Sequence, residues 1–228
     1  MEKTYFVSGI DTGVGKTVAT GLMLRYLASR GISSVSVKMV QTGCPDGTPE
    51  DILEHRRLSG TGPLPEDEAG WTSPQIFAYP SSPLLAARLE SRQVDAGRIS
   101  DCVAKCSAVR DVTLVEGAGG LLVPLREDAT AADFVAERGW PLILVVSARL
   151  GAINHMLLSA EAAASRGIKL AGIVRNAIPE TDPPLAEDAL RAARRVLAKA
   201  GRPDALAEVP RFDSAGEIPT PDFSGIFA

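Results

Sequence analysis

Basic charge, cysteine, histidine and long apolar runs are scarce in this chain of 228 residues, and each shortage closes a class of function. Its 24 Lys and Arg stand against 28 Asp and Glu, giving a net charge of −4 and a pI near 5.3. A surface that neutralises a phosphate backbone needs the opposite balance, so nucleic acid is not the expected ligand. Cys44, Cys102 and Cys106 are too few and too odd in number for a disulfide framework, and they suit a reducing compartment. With only His55 and His155 in the chain, a Cys/His zinc site lacks ligands. No apolar run reaches the length that spans a bilayer, and the chain enters a strand pattern within a few residues of Met1, leaving no room for a signal peptide. The expectation is a cytoplasmic protein that meets no membrane.

What is present is ordinary in bulk, with 45% hydrophobic and 23% charged residues. The length is enough to bury a core on both faces of one sheet. Apolar, β-branched runs predict strands over Thr4–Ser8, Ser34–Lys38, Val112–Glu116, Leu142–Val146, Leu170–Val174 and Ala205–Val209. Between them, helical patterns cover Thr17–Ser29 (closed by Gly31), Asp51–Leu58, Pro83–Ser91, Ala96–Val109, Gly151–Ser165 and Leu185–Lys199. Gly60–Pro83, dense in Pro, Gly and Glu, reads as a long surface segment. Strands this continuously apolar are covered on both faces. The predicted fold is therefore α/β: a doubly wound, mostly parallel sheet with helices on both faces, in one domain over residues 1–228.

The sharpest local signal is Gly9-Ile-Asp-Thr-Gly-Val-Gly15-Lys16-Thr17, placed between the first strand and the first helix. Glycines let backbone N–H groups turn towards a polyphosphate, and the helix N-terminus adds positive potential. Lys16 is placed to bridge the β- and γ-phosphates and the Thr17 hydroxyl to hold Mg²⁺, so the fold is expected to be P-loop NTPase-like. Five residues separate Gly9 from Gly15 where the common motif has four, which marks a particular branch of these proteins.

Ligands of such sheets sit at the carboxyl ends of the strands. The polar residues left there are Asp11 to Thr17, Lys38 with Gln41 and Thr42, Glu116, Ser147 to Asn154, and Asn176. Glu116, ending an apolar strand, reads as a second metal anchor or as a strand-end carboxylate. Taken alone, Asp51 reads as a helix-capping acid. Lys38 is either a second cation for a transferring phosphoryl group or an ordinary solvated lysine. Asn176 either reads a nucleobase edge or caps a turn, and His155 reads as a packed or capping histidine. Asp213–Ala228, rich in Pro and Gly, is either a flap over the nucleotide or a loose tail.

Read together, the P-loop, Lys38-Met-Val-Gln-Thr-Gly43, Val115-Glu-Gly-Ala-Gly-Gly120 and Leu150-Gly-Ala-Ile-Asn-His155 resemble the dethiobiotin synthetase family in order and spacing. Tyr79-Pro-Ser-Ser-Pro83 and Val174-Arg-Asn176 also fit, and the resemblance runs from about Thr4 to Val209-Pro210. It implies a homodimeric ligase that uses MgATP and CO₂ (or bicarbonate) to convert 7,8-diaminononanoate to dethiobiotin. The implied path is a carbamate, then a carbamic–phosphoric mixed anhydride, then ring closure with loss of phosphate.

The resemblance implies catalytic roles for Thr12, Lys16 and Lys38. It assigns ATP to Gly13, Val14, Gly15, Lys16, Thr17 and Val18 together with Glu116, Asn176 and Pro210. Mg²⁺ falls to Thr17, Asp51 and Glu116. The substrate falls to Thr12, Lys38, Thr42, Ser81 (with Ser82) and Pro83, and to Gly151, Ala152, Ile153 and Asn154 from the neighbouring subunit. Two positions depart from the family pattern: Met39 replaces the usual Pro, which is expected to loosen the aim of Lys38, and Gly13 stands where some members carry Glu. The rival readings are a nucleotide-dependent switch of related fold and an amide-forming synthetase. The switch typically has an extra Lys early in the loop, where Asp11, Thr12 and Gly13 stand. The synthetase typically adds a glutamine-hydrolysing domain, for which this chain has neither the length nor a Cys–His pair.

Overall fold

A computed structural model describes residues 1–177, 182–213 and 216–228. Its strands are β1 Thr4–Gly9, β2 Ser34–Lys38, β3 Gln41–Thr42, β4 Ile76–Phe77, β5 Val112–Gly120, β6 Pro124–Arg126, β7 Ala129–Thr130, β8 Leu142–Val146, β9 Leu170–Asn176 and β10 Leu206–Val209. The helices are α1 Lys16–Ser29, α2 Glu50–Ser59, α3 Pro65–Glu68, α4 Pro83–Leu89, α5 Ala96–Val109, α6 Ala131–Arg138, α7 Ala152–Ala164 and α8 Pro183–Lys199.

Six strands form one sheet in the order β10-β9-β8-β1-β5-β2, every neighbouring pair parallel. The apolar runs explain it. All five residues of β8, Leu-Ile-Leu-Val-Val, are buried, as are the last four of β2, so at these strands neither face of the sheet meets water. Tyr5 and Phe6 of β1, Leu114 and Val115 of β5, and Leu22, Met23 and Leu27 of α1 belong to one continuous core. The chain leaves β1 for β2 on one side and later fills the other side with β8, β9 and β10. The carboxyl end of β1 therefore borders the crevice where such sheets take ligands.

Several expectations change. Gly60–Pro83 is only partly a surface segment: it also holds α3 and β4, and β4 pairs with β3 in parallel, Gln41 opposite Ile76 and Thr42 opposite Phe77. Phe77, Gln75, Thr72 and Glu66 are all buried. Glu66 tolerates burial because Arg110 grips it with two bonds, Nε to Oε1 at 2.6 Å and Nη2 to Oε2 at 2.8 Å. The last residues, from Phe223 to Phe227, are neither flap nor loose tail, and residues 214–215 of the C-terminal stretch lie outside the described residues. Phe223, Ile226 and Phe227 are buried, with Phe227 edge-on to Tyr5 at 5.3 Å and Phe223 edge-on to Tyr26 at 5.8 Å. They dock beside the start of β1, away from the P-loop at its other end. Strand β5 runs four residues past Glu116, and its Gly120 still pairs with Gly9.

Helix α6 was not expected, although Thr130 and Asp133 carry its start signal. The Thr130 hydroxyl accepts from the Asp133 N–H at 3.4 Å, and the Asp133 carboxylate accepts from the Thr130 N–H at 2.8 Å. Arg166 Nε adds a bond to Asp133 Oδ1 at 2.8 Å. The Thr130 side chain first, then Arg166, hold the Asp133 carboxyl down at about 2. A carboxyl lowered from 3.8 stabilises the fold above that value, and the contribution is lost as pH falls through about 2. Asp133→Ala should therefore cost about 1 kcal/mol at neutral pH, the worth of a helix cap, with the half-exposed Arg166 pair adding little. Urea titrations at pH 7 and pH 2.5 check this: the gap from wild type narrows at the lower pH, and an equal gap at both refutes the assignment.

Candidate active site

Backbone geometry comes first. Gly15 caps α1 with φ 92°, and a Cβ there would lie 2.0 Å from Asn176 Nδ2. At Gly9 a Cβ would lie 2.6 Å from the Val14 side chain. Only glycine allows this close approach, which aims the free N–H groups of α1 out of the loop. Asn176, at the end of β9, donates from Nδ2 to the Val14 carbonyl at 3.1 Å and so braces the loop. Pro210 follows Val209, the register partner of Asn176, and is exposed. Val14 is buried, Val18 packs against the core, and Thr12 and Gly13 face solvent.

Lys16 Nζ donates to the Asp11 carbonyl at 3.1 Å. Burial first, then the neighbouring Lys38 charge, pull its ammonium down to about 8. A cation held this way gains from an incoming polyanion.

Three oxygens converge beside it from three elements. Thr17 Oγ1 lies 3.0 Å from Asp51 Oδ1 and 3.1 Å from Glu116 Oε1, its single hydrogen serving one carboxylate at a time. Asp51 sits in the first turn of α2, and Glu116 on β5. Lys38 ends β2 directly opposite Glu116 in the parallel register, which puts the two side chains together. Its Nζ lies 2.6 Å from Asp51 Oδ2, 2.8 Å from Glu116 Oε1 and 3.2 Å from the Gly117 carbonyl. Burial opposes both charges, yet the Glu116 and Asp51 carboxylates keep the Lys38 ammonium above its ordinary value. In the same way burial pushes the Glu116 carboxyl up, and the Lys38 ammonium followed by His55 bring it well below the carboxylate range. Met39 does not loosen this arrangement: its side chain is fully buried, and its N–H, which a proline would lack, donates to the Glu116 carbonyl at 2.9 Å.

Thr17, Asp51 and Glu116 are hard oxygen donors that suit Mg²⁺, an ion that keeps waters and completes its shell with phosphate oxygens. Among the described residues no group of three or more His, Cys, Asp or Glu forms an all-protein cage. The donor set fits a cation brought with a nucleotide.

A cavity of about 750 Å³ adjoins the loop and is lined by Thr12, Thr42, Ser81, Ser82, Pro83 and Gly119 among others. The unexpected β3–β4 pairing builds one wall, since it brings Thr42 beside the 80–83 turn. Ser82 caps α4, accepting from the Leu85 N–H at 3.4 Å. His155 also lines the cavity, its Nδ1 3.9 Å from Asp11 Oδ2, and Asp11 is held by Arg149. Lys38 does not line it. Nor do Gly151, Ala152, Ile153 and Asn154, which form the start of α7, Gly151 as its left-handed cap and Asn154 exposed. A larger cavity, about 980 Å³, lies at the amino ends of β1, β8 and β9 and is lined by none of the residues expected to function.

His55 was missed as a site residue. It is fully buried and bonds Glu116 Oε2 at 2.8 Å. Its signal in the chain is its place four residues after Asp51, on the same face of α2.

The wider similarity agrees with this geometry. Residues 3–218 match the family model described as an AAA domain. The ATP-dependent dethiobiotin synthetase BioD 2 of Pasteurella multocida is 42% identical over 209 residues, covering 92% of this chain and 97% of its own length. The protein of the same name from Haemophilus influenzae is 47% identical over 182 residues, 80% of this chain and 95% of its own. A crystal structure of a ParA family ATPase from Chlorobium tepidum superposes with a TM-score of 0.53 at 15% identity, over 94% of this chain and 87% of its own, a likeness of fold alone. With that identity spread over nearly its full length, and with the loop and its acids in place, the chain belongs to the dethiobiotin synthetase family.

Proposed function

We propose that this protein is an ATP-dependent ligase that uses CO₂ to close the ureido ring of dethiobiotin on 7,8-diaminononanoate, releasing ADP and phosphate. The observation that carries the reading is the meeting of Lys16, Lys38, Thr17, Asp51 and Glu116 beside a cavity lined by hydroxyls. Among the described residues, no hydroxyl lining that cavity is hydrogen bonded to an imidazole, so the site has no activated nucleophile of its own. It is built to position reactants and to stabilise charge.

In this reading the α1 N–H groups and Lys16 bind the β- and γ-phosphates, and Asn176 with Pro210 lies on the adenine side of the loop. Thr17, Asp51 and Glu116 would hold Mg²⁺, which would supply positive charge against the phosphates. A carbamate formed on one amine attacks the γ-phosphate, and Lys16, Lys38 and Thr12 stabilise the migrating phosphoryl group. The second amine then attacks the mixed anhydride, closes the ring and expels phosphate. Thr42, Ser81 and Pro83 shape the diamine pocket.

The start of α7 takes the substrate carboxylate from a second subunit, since helix N-termini favour anions. Support for a homodimer comes from Gly151–Asn154 lying outside their own chain's cavity, next to an exposed Leu150, Leu157 and Leu158. We place the protein in the cytoplasm, without nucleic acid or membrane as partner: its net charge is −4, and no helix among the described residues is long and apolar enough to cross a bilayer.

The test is mass-spectrometric detection of dethiobiotin after incubation with 7,8-diaminononanoate, bicarbonate and MgATP, beside a mixture lacking the diamine. Product that depends on both diamine and ATP is expected. Nucleotide binding without product overturns the substrate assignment, and a monomer with full specific activity removes the shared site.

A further inference from the structure

The hydrogen bonds behind Glu116 form an ordered chain. His55 Nε2 lies 2.8 Å from Glu116 Oε2, and its Nδ1 lies 2.9 Å from Ser36 Oγ on β2. Arg56 Nη1 donates to the same Ser36 oxygen at 3.1 Å. Arg56 is itself fixed by Asp67 through two bonds of 2.8 Å. Asp67 also accepts from the Thr72 hydroxyl at 2.7 Å.

The carboxylate fixes one end of this chain. An ionised carboxylate only accepts, so Nε2 carries the hydrogen towards Glu116. Ser36 accepts from Arg56 and is hydrogen bonded to Nδ1, so the imidazole is held at both ring nitrogens. The two oxygens of Glu116 are thereby divided. Oε2 is turned back to His55, while Oε1 faces Thr17 and Lys38. His55 shares its face of α2 with Asp51, so the same bond also ties that helix to β5 beneath the two acids.

We propose that His55 is a positioning residue for the divalent cation: bonded to Oε2 and held in turn by Ser36 and Arg56, it keeps Oε1 of Glu116 turned towards Thr17, on the side where a nucleotide-bound cation would be held. This rests on the MgATP reading of the site. Hydrogen-bond partners behind a metal ligand typically set affinity by about 10–100-fold.

The experiment is calorimetric titration of ADP into the protein with and without Mg²⁺, for wild type, His55→Leu, His55→Gln and Ser36→Ala. Wild type is expected to bind ADP more tightly with Mg²⁺. His55→Leu should bind metal-free ADP as wild type does and lose about 10–100-fold of the Mg²⁺-dependent gain. His55→Gln, whose amide can still donate to Oε2, should recover most of it. Ser36→Ala keeps the imidazole and its packing but removes its bond at Nδ1, so it should show a smaller loss confined to the Mg²⁺-dependent part, and it stands as the test if His55→Leu does not fold. An unchanged Mg²⁺ response in these variants overturns the proposal alone, as does an equal loss of metal-free binding, which marks a structural role. A wild-type protein whose ADP affinity ignores Mg²⁺ overturns the MgATP reading together with it.

Discussion

Replacing Lys38 by methionine is expected to cost both turnover and stability. The ammonium is buried between Asp51 and Glu116, and Glu116 is fully buried, so methionine keeps the volume but leaves a buried carboxylate without its cation. Breaking such a pair from one side costs about 3–5 kcal/mol. Removing a charge that stabilises the migrating phosphoryl group should also lower diamine-dependent ADP release by about 10²–10³-fold. The two losses separate in Lys38→Met/Glu116→Gln, where the unpaired charge is gone: urea midpoints should recover in part while turnover stays low. A Lys38→Met protein with near-normal turnover removes the residue from the mechanism. One as stable as wild type contradicts the buried pairing.

Lys16→Met should also lower turnover, with the opposite effect on stability. Burial and the Lys38 charge lower the Lys16 ammonium from 10.5 to about 8, so its charged form burdens the folded state. The burden is full below about pH 8 and fades as pH rises towards the unfolded value of 10.5. At pH 7 the methionine variant should therefore melt at or above the wild-type temperature, with the advantage shrinking towards pH 10. Without the cation at the β- and γ-phosphates, turnover should fall by about 10³-fold or more. Wild-type turnover in Lys16→Met would falsify the nucleotide reading of the loop, and a lower melting temperature at pH 7 contradicts the cost of burying Lys16.

Much of the fold was legible because its signals are local. The bounds of Ala96–Val109, Leu142–Val146 and Ser34–Lys38 follow from short-range patterns of apolar and β-branched residues, and the structure has the same bounds. Gly60–Pro83 was not legible, because its polar composition hides a pairing with residues far away in the chain: β4 lies beside β3, and Glu66 is buried only because Arg110 reaches it. The aromatics near the C-terminus were hidden likewise, since their partners Tyr5 and Tyr26 lie at the other end of the sequence. In α6 the capping residues Thr130 and Asp133 were present and went unread.

The sequence by itself determined the phosphate loop, since Gly15, Lys16 and Thr17 are contiguous and glycine supplies the left-handed residue that opens α1. It also determined the parallel sheet, through strands too apolar to face water. Only the tertiary structure decided which charges meet. Because β5 lies between β1 and β2, Lys38 stands in register with Glu116, and α2 brings Asp51 and His55 to the same two side chains. A buried carboxylate needs a cation and hydrogen-bond donors from other segments, and sheet order, not proximity in the chain, supplies them.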